Sequence, residues 1–269
     1  PTKRPAAGRS LTQSAEFLRL TLMGHVFDFH EAVAYEKWMK KPENELAFEL
    51  EIQLLRDMLQ PRPGESILDI GCGAGLCLPA FLDMGLKVTG IDPSTYMLDI
   101  ALSKVGNRAD LYRGFAEDLP FGDNSFNHAC LFTTLEFVAD ANKALAEACR
   151  VAKDRLFIGV LNRYAIKGVE RRVRGMFTPS IYNHARFFSV WQLKHMLYDL
   201  VGHVPISWRT VCQLPLPSGK FATSFEQSFL QRCPFGAFAG MVVVLIPQFR
   251  TRPLTVRYQP SHAPGEVPG

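Results

Sequence analysis

A glycine-rich turn between a predicted strand and a predicted helix constrains this chain more than any other feature. The strand is the apolar stretch at 66–70, and the helix is predicted at 76–84. Between them lie Gly71, Gly73 and Gly75. Glycine lets a backbone approach a ligand closely, and the N-terminus of a helix attracts an anion. The segment therefore predicts a ligand-binding strand–turn–helix unit in an α/β fold.

Strands and helices alternate after this turn. The pattern predicts strands at 87–91, 110–113, 126–132 and 155–161, with helices at 95–105 and 142–151. Alternation at this spacing is typical of βαβ units that build a parallel sheet. A helix capped by Ser189 and two strands at 206–214 and 238–246 follow without that crossover pattern. We expect these last two strands to pair antiparallel.

Composition excludes several classes of protein. Of the 269 residues, 47% are hydrophobic and 21% are charged, which is typical of globular proteins. The net charge of +4 does not by itself indicate that the protein binds nucleic acid. No CxxC pair and no metal-ligand spacing occur, so a metal site is not expected. The longest apolar run, 237–247, is too short to span a membrane, and residues 1–10 lack the apolar core of a secretory signal. We expect a cytoplasmic protein with reduced thiols.

Two carboxylates near the turn separate the possible nucleotide ligands. Asp92 lies 21 positions after Gly71 and ends the next strand, where a carboxylate can accept both hydroxyls of a ribose. A dinucleotide turn has its third glycine at the position that Leu76 occupies here. Asp69, just before the turn, would repel a pyrophosphate but suits an ammonium group. S-adenosylmethionine carries an ammonium, a ribose and a sulfonium, so these residues favour it as the cofactor.

Four stretches of the sequence, in order, resemble a known family. They are 67–75 (ILDIGCGAG), 88–94 (VTGIDPS), 116–126 (AEDLPFGDNSF) and 145–151 (LAEACRV). Residues 64–161 thereby resemble the class I, Rossmann-like S-adenosylmethionine-dependent methyltransferases, in particular the small-molecule group that includes quinone- and sterol-methylating enzymes. The resemblance implies a seven-stranded, mostly parallel sheet with an antiparallel last strand, and it implies S-adenosylhomocysteine as a product.

The resemblance also implies roles for residues around the turn. Asp69 would bind the amino group of the cofactor, the turn Gly71-Cys72-Gly73 would lie under its methionine part, and Asp92 would bind its ribose. Cys72 is interpreted as a small residue of the turn rather than a nucleophile. The remaining cofactor residues implied by the family are Pro93, Met97, Phe115 and Ala116 around the adenine, and Phe132 at the end of the fourth strand. Phe115 stands where the family often has an acid that takes the exocyclic amine of the adenine, so a water or a backbone group would have to replace that contact.

Five segments describe the expected domain organisation. A helical cap at 1–63 precedes the S-adenosylmethionine-binding core at 64–161. An insertion at 162–188, with six Lys or Arg against one Glu, is interpreted as a lid. The last helix and strand pair of the core occupy 189–250, and a proline-rich tail occupies 251–269. We expect the cap and the insertion to enclose an aromatic pocket with a basic rim, suited to a flat or anionic small molecule.

Candidate residues for the acceptor side are less constrained. Glu136 follows the fourth strand, and His184 lies in the insertion; both are candidate general bases. Alternatively, Glu136 is a solvent-exposed acid of the loop, and His184 is a histidine of the surface. Tyr35, Trp38 and Tyr182 are candidate substrate contacts, and aromatic rings in the cap could instead face the sulfonium or simply pack.

The sequence leaves two other functions open. An RNA methyltransferase is favoured only by the basic insertion, since no Asn/Asp-Pro-Pro-Tyr/Phe motif follows the fourth strand, where 132–135 is FTTL. A non-catalytic S-adenosylmethionine-binding module is the other alternative. The intact Asp69 and Asp92 argue against lost cofactor binding. The sequence therefore favours a methyltransferase that acts on a small molecule.

Overall fold

The computed structural model describes residues 24–165, 185–211 and 230–246. Within them a seven-stranded sheet has the strand order β3-β2-β1-β4-β5-β7-β6. The strands are β1 (Ser66–Ile70), β2 (Lys87–Asp92), β3 (Ala109–Arg113), β4 (Phe126–Phe132), β5 (Ala152–Leu161), β6 (Ile206–Val211) and β7 (Phe238–Val244). Strands β1 to β5 are parallel, and β7 runs antiparallel to both β5 and β6. The predicted Rossmann-like sheet with its antiparallel last strand is confirmed.

Helices cover both faces of this sheet. They are α1 (Phe29–Met39), α2 (Pro42–Leu59), α3 (Leu78–Asp83), α4 (Thr95–Val105), α5 (Ala141–Val151) and α6 (Val190–Val201), with short 3₁₀ turns at Gly106–Arg108 and Leu230–Arg232. One face packs against α5 and α6 through residues such as Leu145 and Leu193. The opposite face packs against α2, α3 and α4 through residues such as Leu55 and Phe81. The result is a three-layer α/β architecture with a core on each side of the sheet.

Local side chains explain where the helices of the cap and core begin. Asp28 accepts a hydrogen bond from the N–H of Glu31 while the Glu31 carboxylate accepts one from the N–H of Asp28, which is a complete capping box for α1. Ser189 accepts a hydrogen bond from the N–H of Gln192, as the sequence predicts for the start of α6. Pro42, the first residue of α2, needs no hydrogen-bond donor at that position.

The starts of two predicted elements differ from the observed ones by two or three residues. Helix α3 begins at Leu78 rather than residue 76, with Pro79 in its first turn. Strand β5 begins at Ala152 rather than residue 155, because Ala152 pairs with Phe126 before a break in the register with β4. Several other predictions fall outside the described residues: most of the insertion, the end of the strand predicted at 206–214, and the tail.

The cap lies where its helices can reach the ends of the strands. Helix α2 packs against β7, β6 and β5, and α1 packs against α4. Ala32 of α1 contacts a small buried cluster with Ala74 and Met97, next to the glycine turn. The cap is thereby anchored to both halves of the sheet. No helix among the described residues is long and apolar enough to cross a membrane.

Candidate active site

A cavity opens at the carboxyl ends of β1, β2 and β4, beneath α1 and α2. It encloses about 1400 Å³ of empty space, including its open mouth. One side, here called the sheet wall, consists of residues at or after the strand ends. The other side, here called the cap wall, consists of Phe27, Tyr35, Trp38, Asn44, Phe48 and Glu51, together with their neighbours. Ligand sites of open α/β sheets lie at this edge.

The glycine turn forms the floor of the sheet wall. The N–H groups of Gly71 and Cys72 both donate to the Ile91 carbonyl, at 2.7 and 3.0 Å, which ties the turn to β2. Gly71 has φ +70°, and a Cβ at this position would collide with the Thr134 side chain. Gly73 has φ +51° and open space where its Cβ would lie. The turn thus needs glycine for its backbone at Gly71 and leaves room for a ligand at Gly73.

Asp92 connects β2 to the glycine turn. Its Oδ2 accepts a hydrogen bond from the Gly73 N–H, and its Oδ1 accepts one from the Ser94 N–H, both at 2.9 Å. Burial raises the pKa of Asp92 to about 6, and these two hydrogen bonds oppose the shift. Each oxygen keeps a further lone pair, so the carboxylate can accept hydroxyl groups from the cavity.

Asp69 is the most deeply buried charged group of the sheet wall. It is 2% exposed, and no hydrogen bond reaches its carboxylate from any residue that the structure describes. Burial raises its pKa to about 7, and the negative charge of Asp92 adds to the shift. A buried carboxylate without a donor is costly unless a ligand supplies one. The position therefore suits a cation with N–H groups.

Apolar residues surround the part of the cavity next to Asp92. Pro93, Met97, Phe115 and Ala116 all lie in its lining, as the sequence predicts for an adenine site. Phe115 provides no acid there. Glu117 also lines the cavity, but its Oε1 accepts hydrogen bonds from the N–H groups of Ala139 and Asp140, at 2.8 and 3.3 Å. Glu117 therefore stabilises the loop before α5.

The end of β4 forms a sharp backbone turn at the cavity. Thr133 has φ +50°, a conformation that a β-branched residue rarely adopts, and its N–H donates to the Gly159 carbonyl at 2.8 Å. The Thr134 hydroxyl donates to the Ile70 carbonyl at 2.8 Å, which joins β4 to β1. Strain of this kind is common at functional sites. Both threonines line the cavity.

The cap wall presents aromatic rings and two polar groups. Tyr35 and Trp38 of α1 stack with their ring centroids 6.2 Å apart, and both line the cavity as predicted. The Phe48 ring meets Phe132 edge-on at 5.8 Å, which joins the cap to the end of β4. The cavity face of α2 consists of Asn44, Ala47, Phe48 and Glu51, whose spacing of three and four residues places them on one side of a helix.

Of the two candidate general bases, the structure describes Glu136 but not His184. The Glu136 carboxylate is 1% exposed and absent from the cavity lining; its Oε1 accepts a hydrogen bond from the Leu161 N–H at 2.6 Å. Burial raises its pKa to about 8. This placement corrects the expectation that Glu136 faces the cavity, because the hydrogen bond from the Leu161 N–H holds its carboxylate at the end of β5. His184 and the predicted substrate contact Tyr182 lie outside the described residues.

Cys72 lines the cavity as a small, buried side chain. Burial, followed by the charges of Asp69 and Asp92, raises the pKa of its thiol above the usual range. A thiol in this environment stays protonated, so it is not a reactive nucleophile. The described residues hold no group of three or more His, Cys, Asp or Glu that could bind a metal ion.

Several residues of the cavity were not predicted from the sequence. The main ones are Phe27, Asn44, Phe48, Glu51, Thr133 and Thr134. The three- and four-residue spacing in α2 was a usable signal for Asn44, Phe48 and Glu51. However, the spacing alone does not say whether that face meets a cavity, the core or solvent.

Comparisons with known proteins agree with this geometry. Residues 68–157 match the family model described as a methyltransferase domain. The chain is 33% identical over 181 residues to an uncharacterized protein of Methanocaldococcus jannaschii, covering 65% of this chain and 80% of that protein. It is 36% identical over 172 residues to a demethylmenaquinone methyltransferase of Tropheryma whipplei (strain Twist), covering 56% of this chain and 72% of that protein. It spans under half the length of several other curated methyltransferases that it matches.

A solved structure shows the same fold. The crystal structure of an S-adenosylmethionine-dependent methyltransferase from Thermotoga maritima, described as a possible histamine N-methyltransferase, matches with a TM-score of 0.61 and 25% identity. The match covers 80% of this chain and 96% of that chain. The likeness thus extends well beyond residues 68–157, which the family model matches.

Proposed function

Because this chain belongs to the Rossmann-like S-adenosylmethionine-dependent methyltransferases, we propose that its cavity holds the cofactor along the sheet wall and a small-molecule acceptor beneath the cap. When bound, S-adenosylmethionine supplies a methyl group on a positively charged sulfur, open to displacement by an acceptor atom in line with the departing sulfur. The protein's contribution is to bind, orient and keep water from the two partners.

The single observation that carries the cofactor assignment is the Asp69 carboxylate. It is buried, faces the cavity and receives no hydrogen bond from the described residues. The ammonium of the cofactor would supply both the missing donors and the missing positive charge. The adjacent Gly71 and Gly73 would leave space for the methionine part.

The ribose and adenine would follow along the sheet wall. Asp92, with backbone donors on both of its oxygens, would accept the ribose hydroxyls. Pro93 and Met97 would pack against the adenine, with Phe115 on the same stretch of the wall. The Ala116 N–H is our candidate for the polar contact with the base, since Phe115 supplies no acid and Glu117 is engaged with the backbone.

The acceptor would lie between the cap wall and the end of β4. Phe48 and Phe132 meet there, and Thr133 turns the backbone toward the same space. The relatives' names also favour a small acceptor, because demethylmenaquinone and, in the Thermotoga protein, possibly histamine are small molecules. We propose that the residues of this region position the acceptor. Glu136 is absent from the cavity lining, and His184, which lies outside the described residues, stays a predicted general base.

Three finer proposals accompany this function. We propose that the protein works in the cytoplasm, since Cys72, Cys77 and Cys130 are free and buried next to the cofactor turn. We propose that nucleic acid is not its acceptor, because no Lys or Arg lines the cavity among the described residues. Finally, we propose the division into a cap at 1–63, a core at 64–161 and 189–250, and an insertion whose ends meet at the Asn162–Phe188 bridge.

Calorimetry with S-adenosylmethionine and S-adenosylhomocysteine tests the proposal. We expect binding of both, and we expect Asp92→Asn to weaken it by about 1.5–3 kcal/mol, the value of hydrogen bonds to a charged group. The matched control is Asp110→Asn, on the exposed edge strand β3. Since Asp92 also holds the N–H groups of Gly73 and Ser94, the variant should lose some stability as well.

Two outcomes would contradict the proposal. If the wild-type protein binds neither compound, the cofactor assignment fails. If Asp92→Asn is destabilised but its folded fraction binds like the wild type, Asp92 has a structural role only. Binding of the cofactor without transfer to any small molecule would favour the alternative of a non-catalytic binding module, and transfer to RNA would favour the other alternative.

A further inference from the structure

We propose that Asn44 makes this cavity selective for a flat, ring-bearing acceptor with an O–H or N–H group, which donates a hydrogen bond to the Asn44 side-chain oxygen. This inference rests on the proposed function, because it names the substrate class of the same cavity. It keeps the flat molecule that the sequence favours. The basic rim expected for an anionic molecule depended on Arg171, Arg172 and Arg174, which lie outside the described residues.

Asn44 lies where the two helices of the cap meet. It is the third residue of α2, it is half-buried, and it lines the cavity. Its Nδ2 donates to the Trp38 carbonyl, near the end of α1, at 2.7 Å. Because a carbonyl oxygen can only accept, this hydrogen bond determines which end of the amide faces α1. The cap itself therefore orients the Asn44 side chain.

The other end of the Asn44 amide has open lone pairs. Its Oδ1 can accept two hydrogen bonds, and no residue that the structure describes donates to it. Since Nδ2 is directed at Trp38, the oxygen is the polar atom that Asn44 offers to the cavity. An acceptor that is already oriented binds a matching donor with little further loss of conformational entropy.

Aromatic rings on the same side of the cap favour a flat ligand. Phe48 follows Asn44 by four residues, so both side chains lie on one face of α2, and both line the cavity. The Phe48 ring meets Phe132 edge-on with centroids 5.8 Å apart, and Trp38, whose carbonyl holds Asn44, stacks on Tyr35. Such rings pack against the faces and edges of another ring. A ring with a polar group at its edge would thus satisfy both the rings and the Asn44 oxygen.

The Asn44 oxygen discriminates because it can only accept. A ligand ether or carbonyl oxygen opposite Oδ1 would bring two acceptors together and leave both unpaired, whereas an O–H or N–H group would pair with it. A site that hydrogen-bonds a donor on its substrate rejects analogues that lack the donor. A ligand carboxylate is disfavoured in the same way, and no Lys or Arg lines the cavity among the described residues to pair with it.

Thr133 is the alternative partner for a polar group of the acceptor. It follows Phe132 at the end of β4 and lines the cavity, and its hydroxyl forms no hydrogen bond with the residues that the structure describes. A hydroxyl rotates and can either donate or accept, so it would bind an ether as readily as an alcohol. Selectivity for a donor therefore points to Asn44.

Pairs of ligands that share a shape and differ in one donor test this proposal. The protein is saturated with S-adenosylhomocysteine, and equilibrium dialysis measures the affinities for 2-naphthol and 2-fluoronaphthalene, and for indole and benzofuran. We expect the donor-bearing member of each pair to bind about threefold to tenfold more tightly, the value of one neutral hydrogen bond. Asn44→Ala should bring both ratios close to one. The matched control is Glu45→Ala, exposed at the next position of α2, which should leave the ratios unchanged.

A second variant separates selectivity from a structural role. Asn44→Ala and Asn44→Asp both lose the hydrogen bond to the Trp38 carbonyl, but that carbonyl keeps the Lys41 N–H at 3.3 Å. A carboxylate is also favourable in the first turn of a helix. Asn44→Asp retains an acceptor at this position, so it should keep the preference for the donor-bearing ligands that Asn44→Ala loses.

The remaining outcomes would overturn the proposal. They are equal affinities within each pair in the wild-type protein, ratios that persist in Asn44→Ala or disappear in Asn44→Asp as well, and ratios that disappear in Thr133→Val but not in Asn44→Ala. Ratios that persist while both members of a pair weaken equally would show that Asn44 only holds the turn between α1 and α2. Failure of the wild-type protein to bind S-adenosylhomocysteine would instead count against the proposed function itself.

Discussion

The two walls of the cavity are built in different ways. In the sheet wall, hydrogen bonds to the backbone hold the polar groups: Asp92 accepts from Gly73 and Ser94, and Thr134 donates to the Ile70 carbonyl. In the cap wall, the rings and the carboxylate project from helix faces and meet the sheet through side-chain packing, as at the Phe48–Phe132 contact. A wall held by its own backbone keeps one shape, whereas a wall of helix side chains can be altered one residue at a time.

This difference matches the two ligands of a methyltransferase. The cofactor is common to the family, and in our proposal the sheet wall binds it with groups whose positions the strands and the glycine turn determine. The acceptor differs between family members, and specificity must come from parts added to the common core. Substitutions in the sheet wall should therefore affect folding and cofactor affinity, and substitutions in the cap wall should affect the choice of ligand.

The largest effect that we expect is that of Gly71→Ala in the sheet wall. Alanine would have to adopt a positive φ, and its Cβ would collide with the Thr134 side chain. Backbone strain and overpacking together should lower the free energy of unfolding by about 2–5 kcal/mol. Chemical denaturation measures this loss.

Gly64→Ala is the matched control for this variant. Gly64 also has a positive φ, +87°, but nothing lies within 4 Å of its added Cβ. Only the strain of about 1–2 kcal/mol should remain. If the two variants lose equal stability, the contact between the glycine turn and the end of β4 does not determine the structure of the sheet wall. The proposed difference between the sheet wall and the cap wall would then lose its main support.

A second prediction concerns the pH dependence of cofactor affinity. Without ligand, Asp69 has a pKa of about 7, so it is largely protonated at pH 6, and an ammonium ligand needs its ionised form. Binding thus releases a proton, and affinity should rise with pH, by at most about tenfold per unit, until it levels off above pH 7. Asp69→Asn should lose about tenfold to hundredfold in affinity at pH 8 and show a flat profile between pH 6.5 and 8.

The neighbouring carboxylate sets the range of this test. Asp92 has a pKa of about 6 and contributes its own dependence at lower pH, so the comparison is made above pH 6.5. Calorimetry with S-adenosylhomocysteine gives the affinities. A wild-type profile that is flat across this range, or an Asp69→Asn profile that keeps the wild-type slope, would show that Asp69 does not face the amino group.

The sheet wall could be predicted from the sequence because its signals are local. The glycine turn, Asp69 before it and Asp92 at the end of β2 lie within one strand–turn–helix–strand unit, and all the predicted cofactor residues line one cavity. Their contacts with the cofactor stay predictions. The succession of strands and helices along the chain could be predicted for the same reason, since short apolar segments and capping residues mark each element.

The cap wall could not be predicted in the same way. Whether Phe48 and Glu51 meet a cavity depends on how α2 packs against β5, β6 and β7, which are distant in sequence. Glu136 shows the reverse case, a residue that the sequence places in the cavity and the structure does not. Its position after β4 suggested a catalytic group, but its carboxylate accepts a hydrogen bond from the N–H of Leu161, 25 residues later at the end of β5, and is absent from the cavity lining. In both cases long-range packing decides the orientation of the side chain.

The smallest effect that we expect distinguishes packing from ligand contact in the cap wall. If the Trp38 ring faces the sulfonium, Trp38→Leu should weaken the binding of S-adenosylmethionine more than that of S-adenosylhomocysteine, because only S-adenosylmethionine carries the positive charge on sulfur. A cation–π contribution of about 0.5–1 kcal/mol corresponds to a twofold to fivefold fall in the affinity ratio. Trp191→Leu is the control, since Trp191 is 54% exposed on α6 and outside the cavity lining. If Trp38→Leu has normal stability and an unchanged ratio of the two affinities, the Tyr35–Trp38 stack contacts the acceptor or serves packing alone. The sheet wall would then bind only the cofactor, and the cap wall only the acceptor.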